Sequence, residues 1–538
     1  MAHDGEMEIV NKNVTNPANP VTSSNRIIAF IQWHYGTTAS NRSPEQIERE
    51  RYLYGDVVFN RWLLFPAAVI IQFCCGSLYA WSVFNTPIDT LVNGDANAGL
   101  APITFSIAVG MFGLSSATMG PWLERNGPRK GALLSTFLFF LGNMISALAI
   151  HFKQMWLLYI GYGIIGGFGL GLGYISPVSA LQKWFPDRRG LAAGFAVCGF
   201  GAGSIAIAKI PDTLRAAVGL PLTFVILGSC YFICMTLAAL VIRIPPPGYV
   251  VENGKVTEVT QSEKGESVKI NVQTQPTIKL TLIESIKSRD YVLLYMAFFA
   301  NAIFGLVVIS RLANMLKDLF GKSADEASTI VSINGGFNLF GRIFFSTISD
   351  YVGRKNCYLV MLTCQAVILI AFESIVTTGT YWAFLLCIWV LTACYGGGFG
   401  VIPAFLTDMF GPTNIGACHG IILTAWSIAG VGGGLVFTAV FQSLKNTYGP
   451  KNPILYTTNV YWILAFVLVG LVVCCFVRVT VRDRLFPAVP GQIIRVRVFG
   501  KLVRLVKREG GIKLEKCSKE QEDAEWAEFI EQRYTSGQ

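Results

Sequence analysis

Charge is scarce in this chain: Asp, Glu, Lys and Arg make up only 14% of its 538 residues. A soluble protein carries roughly a quarter, so the deficit excludes a water-solvated surface over most of the length. Metal-binding spacings are missing too, with no Cys-x-x-Cys and no Cys/His pattern. Most of the thirteen cysteines fall inside apolar runs, as in Cys74-Cys75, Cys230, Cys234 and Cys474-Cys475. There they read as small buried hydrophobes. No nucleophile–base constellation appears, which leaves enzymatic chemistry without a foothold. Residues 1–55 are polar and hold no short apolar stretch followed by a cleavage site, so no secretory signal peptide is expected.

What the chain has in abundance is long apolar runs, such as Trp62–Phe84, Gly131–Ile150 and Trp462–Val479. Each approaches the ~20 residues that carry a helix across a bilayer core. In lipid only helices and closed barrels satisfy their backbones, and continuous rather than alternating runs choose helices. Twelve spans are expected, near 62–84, 102–121, 131–150, 155–180, 190–209, 220–243, 290–312, 327–348, 357–377, 381–407, 416–441 and 458–479. The fold class is therefore an all-α polytopic membrane protein with twelve transmembrane helices. A tail (1–60), a six-helix bundle (61–244), a polar linker (245–289), a second bundle (290–480) and a second tail (481–538) follow in order.

A repeat supports two pseudo-symmetric halves. Glu124 and Asp350 are 226 positions apart (350 − 124), and the same offset relates Gly127 to Gly353, Gly171 to Gly397 and Pro177 to Pro403. It also relates Gly190 to Gly416 and Gly194 to Gly420. Basic residues mark one side: Arg125, Arg129, Lys130, Lys183, Arg188, Arg189, Arg354 and Lys355 all fall in loops on the side of both termini. The positive-inside bias makes that side cytoplasmic. The sequons at Asn13 and Asn41 should then stay unmodified, and the plasma membrane is the default location.

An acid at a helix end, a glycine turn and basic residues recur in Glu124-Arg125-Asn-Gly127-Pro-Arg129 and Asp350-Tyr-Val-Gly353-Arg354. Such clusters can pair across two bundles in one state and part in another, which makes a bistable latch. The pattern resembles the signature loop of the major facilitator superfamily, in both expected places. A narrower likeness to the oxalate/formate antiporter family runs through Gly76-Ser-Leu-Tyr79-Ala-Trp81, Gly169-Leu-Gly171-Leu-Gly173-Tyr174, Lys183-Trp-Phe-Pro-Asp-Arg-Arg-Gly190 and Tyr395-Gly-Gly-Gly-Phe399. Monocarboxylate transporters share parts of it. The resemblance covers roughly residues 60–480 and implies alternating access, with a small organic anion as partner and no cofactor or nucleic acid. A monomer is the default.

Arg342 lies eight residues before Asp350, about 12 Å into the membrane at ~1.5 Å per residue. A charge at that depth normally faces a cavity and is paired or functional, and a planar guanidinium matches a carboxylate. In the resembling families an arginine at this point binds the substrate carboxylate. A structural ion pair, with Glu373 as the main acid to hand, is the competing reading. The oxalate antiporter's second cation, a lysine in span 11, is replaced here by Trp426, which favours a monoanion such as formate, lactate or pyruvate. The aspartate that monocarboxylate transporters commonly place four residues before the arginine is Asn338, which cannot titrate. Exchange and uniport both remain open.

Tyr79, Tyr174, Tyr395 and Trp426 are candidates to line an aromatic pocket, with Arg342 and Asn338 supplying polar contacts. Glu124, Arg125, Arg129, Asp350 and Arg354 are candidates for conformational gating. Lys209 and Arg311 either draw anions to the outer mouth or snorkel to the interface. His419 either couples protons or packs. Gly163, Gly167 and Gly171, and Gly194, Gly199 and Gly203, form small-residue stripes that let helices approach in lipid. Finally, Ile493–Arg508 mixes basic and apolar residues, and an amphipathic helix on the anionic inner leaflet is expected there.

Overall fold

The computed structural model describes residues 26–36, 38, 42–95, 98–207, 209–247, 249–252, 255–258, 281–309, 311–449, 452–479, 483–484, 486, 488–498, 501–508 and 511–535. Among them, ten helices are long and apolar enough to cross a membrane. They are span 1 (Arg61–Ala80), span 2 (Ala101–Asn126), span 3 (Pro128–His151), span 4 (Met155–Trp184), span 5 (Arg189–Ile207) and span 6 (Leu220–Val241). Span 9 (Arg354–Thr377), span 10 (Tyr381–Phe410), span 11 (Ile415–Tyr448) and span 12 (Ile454–Cys475) complete the ten. Two further long helices, Arg289–Ile309 and Ala324–Val352, stand where spans 7 and 8 are expected. Span 8 carries Asp325, Glu326, Arg342 and Asp350, which explains its weak hydropathy. Leu237, Ile370, Leu386 and Val472 are more than half exposed, as a lipid-facing surface requires.

The halves meet where small residues allow it. Span 2 packs on span 11 and span 8 on span 5. A side chain at Gly420 would overlap the Ser116 carbonyl, and one at its counterpart Gly194 would overlap the Ser346 hydroxyl. Within the first half, Gly163, Gly167 and Gly171 lie against Ile107, Ala108 and Phe112 of span 2, while Gly199 and Gly203 lie against span 1. The stripes are thus close-packing surfaces, and Gly194 alone of the second set faces the other bundle.

The segments outside the bundles depart from the expected plain tails. Ile493–Arg508 is not a helix. It falls in β5 (Gln492–Val498) and β6 (Lys501–Arg508), which join β7 (Gly511–Lys516) in an antiparallel sheet ordered β5-β6-β7. The run Ile494-Arg495-Val496-Arg497-Val498 alternates with period two and is rich in β-branched residues, which suits a strand. A helix, Lys519–Thr535, follows. At the other end, the helix Arg26–Gly36 packs on span 2. Two short hairpins, β1–β2 (Tyr52–Tyr54, Val57–Val58) and β3–β4 (Tyr249–Glu252, Lys255–Glu258), flank the first bundle. The sequon asparagines, Asn13 and Asn41, and most of the linker lie outside the described residues.

Candidate functional site

Span 8 brings Arg342 to the seam between the bundles, fully buried. One turn earlier on the same helix, Asn338 accepts from its Nε at 2.9 Å. Its Nη1 reaches into the other half, donating to the Val197 carbonyl at 3.0 Å and the Tyr174 hydroxyl at 3.3 Å. The guanidinium also lies over the Phe399 ring at 4.8 Å and the Phe200 ring at 5.5 Å. Its Nη2 is buried and has no hydrogen-bond partner among the described residues. Glu373 is not its partner: that carboxylate accepts from the Tyr461 hydroxyl on the exposed side of the bundle.

The remaining aromatics assemble beside this cation. The Tyr79 and Tyr395 hydroxyls are 2.7 Å apart across the seam, and Trp426 Nε1 donates to Tyr395 at 3.0 Å. Phe200 touches Tyr79 (ring centroids 4.7 Å), and Phe399 touches Tyr395 (5.3 Å), so the two phenylalanines join the tyrosine pair to the arginine. All six side chains named from sequence therefore meet in one place, contributed by spans 1, 4, 8, 10 and 11. Neither Phe200 nor Phe399, the latter known from sequence only as the end of the Tyr395–Phe399 motif, stands out along the chain as a site residue, because a phenylalanine inside a span carries no signal beyond apolarity. His419 is buried on span 11 with neither ring nitrogen hydrogen-bonded among the described residues, its ring 5.8 Å from that of Tyr174. Lys209 and Arg311 stand apart: Lys209 is 3.5 Å from the exposed Asp325, and Arg311 donates to Thr438 at 2.9 Å.

On the side of the termini, the repeated acids cross the seam in mirrored fashion. Glu124 accepts from the backbone N–H of Gly416, the second residue of span 11, at 2.6 Å. Asp350 accepts from Gly190 and Leu191 at the start of span 5, at 3.0 and 3.3 Å. Each acid thus satisfies orphan donors and the positive end of the other bundle's helix. A side chain at Gly190 or Gly416 would collide with the acid that caps it. Lys183 backs Glu124. Arg354 holds Asp350 at 2.5 Å and Asp408 at 3.0 Å, and Asp408 also takes Arg189 of the first bundle at 2.8 Å.

Arg125 and Arg129 hold other parts. Arg129 Nε donates to the Ile242 carbonyl at 3.1 Å. Arg125 donates to the His34 carbonyl at 2.8 Å, approaches His34 Nδ1 at 3.0 Å and lies 4.7 Å over Trp33. Since Arg can only donate, His34 Nδ1 is the acceptor, and its Nε2–H points to the Thr118 carbonyl at 2.7 Å. Thr38 then bonds Asn414 of the second half at 2.6 Å. His34 and Thr38 therefore lie against the closed seam.

The comparisons with known proteins agree with this architecture. The uncharacterized MFS-type transporter YhjX of Escherichia coli (strain K12) is 29% identical over 380 residues, covering 69% of this chain and 86% of the relative. The oxalate:formate antiporter of Oxalobacter formigenes is 24% identical over 378 residues, 70% of this chain and 84% of its own. Apicoplast pyruvate carrier 1 of Toxoplasma gondii is 22% identical over 391 residues, 65% and 69% of the two chains. Among solved structures, the proton:xylose symporter XylE matches with a TM-score of 0.57 at 15% identity, over 77% of this chain and 94% of that one. At that identity the likeness concerns the fold alone. The family model of the Major Facilitator Superfamily matches residues 58–434 and 297–509, and the chain belongs to that superfamily of multi-pass membrane transporters.

Proposed function

We propose that this transporter moves small organic anions, monocarboxylates foremost, by alternating access, with Arg342 clamping the carboxylate. The observation that carries the reading is a fully buried guanidinium whose Nη2 has no partner among the described residues and whose hydrogen bonds there all go to neutral groups. An uncompensated charge at that depth is costly, and a bound carboxylate offsets the cost with charge-assisted hydrogen bonds. Tyr79 and Tyr395 tie the halves by one hydroxyl pair that an incoming anion can replace. Phe200 and Phe399 pack against the guanidinium and Trp426 bonds Tyr395, close surroundings that suit a compact anion. The names of two relatives, an oxalate:formate antiporter and a pyruvate carrier, point to the same class of cargo.

Asn338 holds Arg342 without titrating, so exchange of one anion for another fits better than coupling through that position. Both termini face the cytoplasm in this reading, with the plasma membrane as the location. The cross-seam bonds of Glu124 and Asp350 then close the cytoplasmic side and leave the substrate to enter from outside. Flux of radiolabelled formate, lactate, pyruvate and oxalate into proteoliposomes tests the proposal. Monocarboxylates should exchange faster than oxalate, and Arg342→Lys should keep only a residue of that flux, because it retains charge and loses the fork. Full carboxylate flux in Arg342→Ala would overturn the clamp, and flux of an unrelated solute alone would make the arginine structural.

A further inference from the structure

The helix Arg26–Gly36 has a surface that the transport site does not use. Its sequence, Arg-Ile-Ile-Ala-Phe-Ile-Gln-Trp-His-Tyr-Gly, is apolar at most positions, and none of its 11 residues is buried. Ile28, Phe30, Ile31 and Trp33 are each between 45% and 59% exposed. Ile28 and Phe30 stand two residues apart, so at about 3.6 residues per turn they leave nearly opposite sides of the helix. The uncovered apolar surface therefore wraps around the helix rather than forming one stripe against the bundle. A helix apolar on all sides belongs in an apolar medium. Its 11 residues reach only about 16 Å at ~1.5 Å each, too short for a bilayer core of ~30 Å. Such a segment can lie in a leaflet and not span it.

The docking point sets the depth. The Tyr35 hydroxyl donates to the Ala117 carbonyl at 3.2 Å, and His34 Nε2–H points to that of Thr118 at 2.7 Å. Thr118 lies 17 residues along span 2 from its start at Ala101 (118 − 101). That is about 26 Å at ~1.5 Å per residue, still within a core ~30 Å thick. The side of span 2 that receives the helix also faces lipid. Leu114, one turn before Thr118 and therefore on the same side, is about half exposed. At the 226-residue offset, Leu114 and Thr118 answer to Phe340 and Phe344, both of them exposed. The seam is closed on the side of the termini, so exposure at that level is to lipid rather than to a central cavity. The helix thus continues a lipid-facing strip of span 2, at the depth of the acyl chains.

We propose that the helix Arg26–Gly36 is an anchor bedded in the leaflet on the side of the termini, with lipid acyl chains as the partner of Ile28, Phe30, Ile31 and Trp33. The test uses the full chain in phosphatidylcholine liposomes, with the photocrosslinker p-benzoylphenylalanine in place of Phe30. The same replacement at Leu386, an exposed residue of span 10, is the lipid-facing control. After illumination, mass spectrometry of the peptide carrying position 30 should show a phospholipid adduct, as at position 386. A crosslink to a second copy of the chain instead, or no adduct at position 30 while position 386 gives one, would overturn the proposal. Hydrogen exchange gives an independent reading. Phe30→Gln with Ile31→Gln should speed exchange over residues 26–36 about tenfold, the scale of large apolar side chains losing their burial. Glutamine favours a helix more than either residue it replaces, so a helix held by its own backbone alone would not open faster. Equal exchange in the two proteins would overturn the anchor.

Discussion

The two halves of the molecule share one scaffold and differ in what they place on it. At the 226-residue offset, Arg342 corresponds to Ser116, Asn338 to Phe112, Tyr395 to Gly169, Trp426 to Phe200, Tyr79 to Gly305 and Tyr174 to Gly400. In four of the six pairs a large side chain in one half answers to a glycine or serine in the other. The vacated space is used: a side chain at Gly305 would overlap the Tyr395 ring, and one at Gly400 the Arg342 carbonyl. The latches diverged less, since Glu124 and Asp350 still cap the opposite bundle's helix in the same way. In the proposed transport cycle the two acids act as symmetric latches while the halves rock, whereas a site at the pseudo-axis needs only one cation. Duplication supplied the machine, and divergence concentrated the charge in the second half.

Removing the asymmetric charge should have the largest effect. Arg342→Ala is expected to lower carboxylate flux about 100-fold, as loss of a buried charge-assisted contact costs about 3 kcal/mol, read in proteoliposomes. The mirror change, Ser116→Ala, should leave flux within about twofold, because it loses only a neutral hydrogen bond to the Gly171 carbonyl at 3.1 Å.

Next come the packed seams. Gly420→Leu and Gly194→Leu should each disfavour the closed seam by about 2 kcal/mol, the scale of overpacking a tight contact. Cysteine-labelling of the side bearing the termini should then rise about 30-fold in the closed state's place.

The two latches themselves should differ in size. The Glu124 side chain is 1% exposed and backed by Lys183, whereas Asp350 is 26% exposed and Arg354 keeps Asp408 if it is lost. Glu124→Gln should therefore open the seam by about 2 kcal/mol, as it leaves Lys183 without its partner, and Asp350→Asn by about 1 kcal/mol. The same labelling assay ranks them, and equal effects would break the comparison. The smallest effect belongs to the N-terminal helix. Thr38→Ala removes one neutral bond across the seam and should shift the equilibrium by about 0.5–1 kcal/mol.

Much of this was readable along the chain. Apolar runs forced helices because lipid offers no backbone partners, and the single offset from Glu124–Asp350 to Gly194–Gly420 divided them into halves. Arg342, Asn338 and the four aromatics could be chosen because polar or bulky residues in a span stand out against an apolar background. Phe200 and Phe399 could not, although they bracket the guanidinium. The strands β5 and β6 stand where the sequence suggests a helix over Ile493–Arg508, because basic and apolar residues mix in both settings, and the pairing of Leu505 with Leu514 reaches a strand outside that segment. The docking of His34 and Thr38 was equally silent, since it depends on surfaces that exist only once spans 2 and 11 have closed.

By itself the sequence determined the solvent, the number of spans, the duplication and the presence of one deep cation, all consequences of local composition and spacing. The tertiary structure alone decided that Glu124 caps span 11 and Asp350 caps span 5, that Glu373 is spent on Tyr461, and that Arg342 keeps one nitrogen unpartnered among the described residues. Those facts depend on which groups fall within about 3 Å of one another, and the distance between groups hundreds of residues apart is set only by packing.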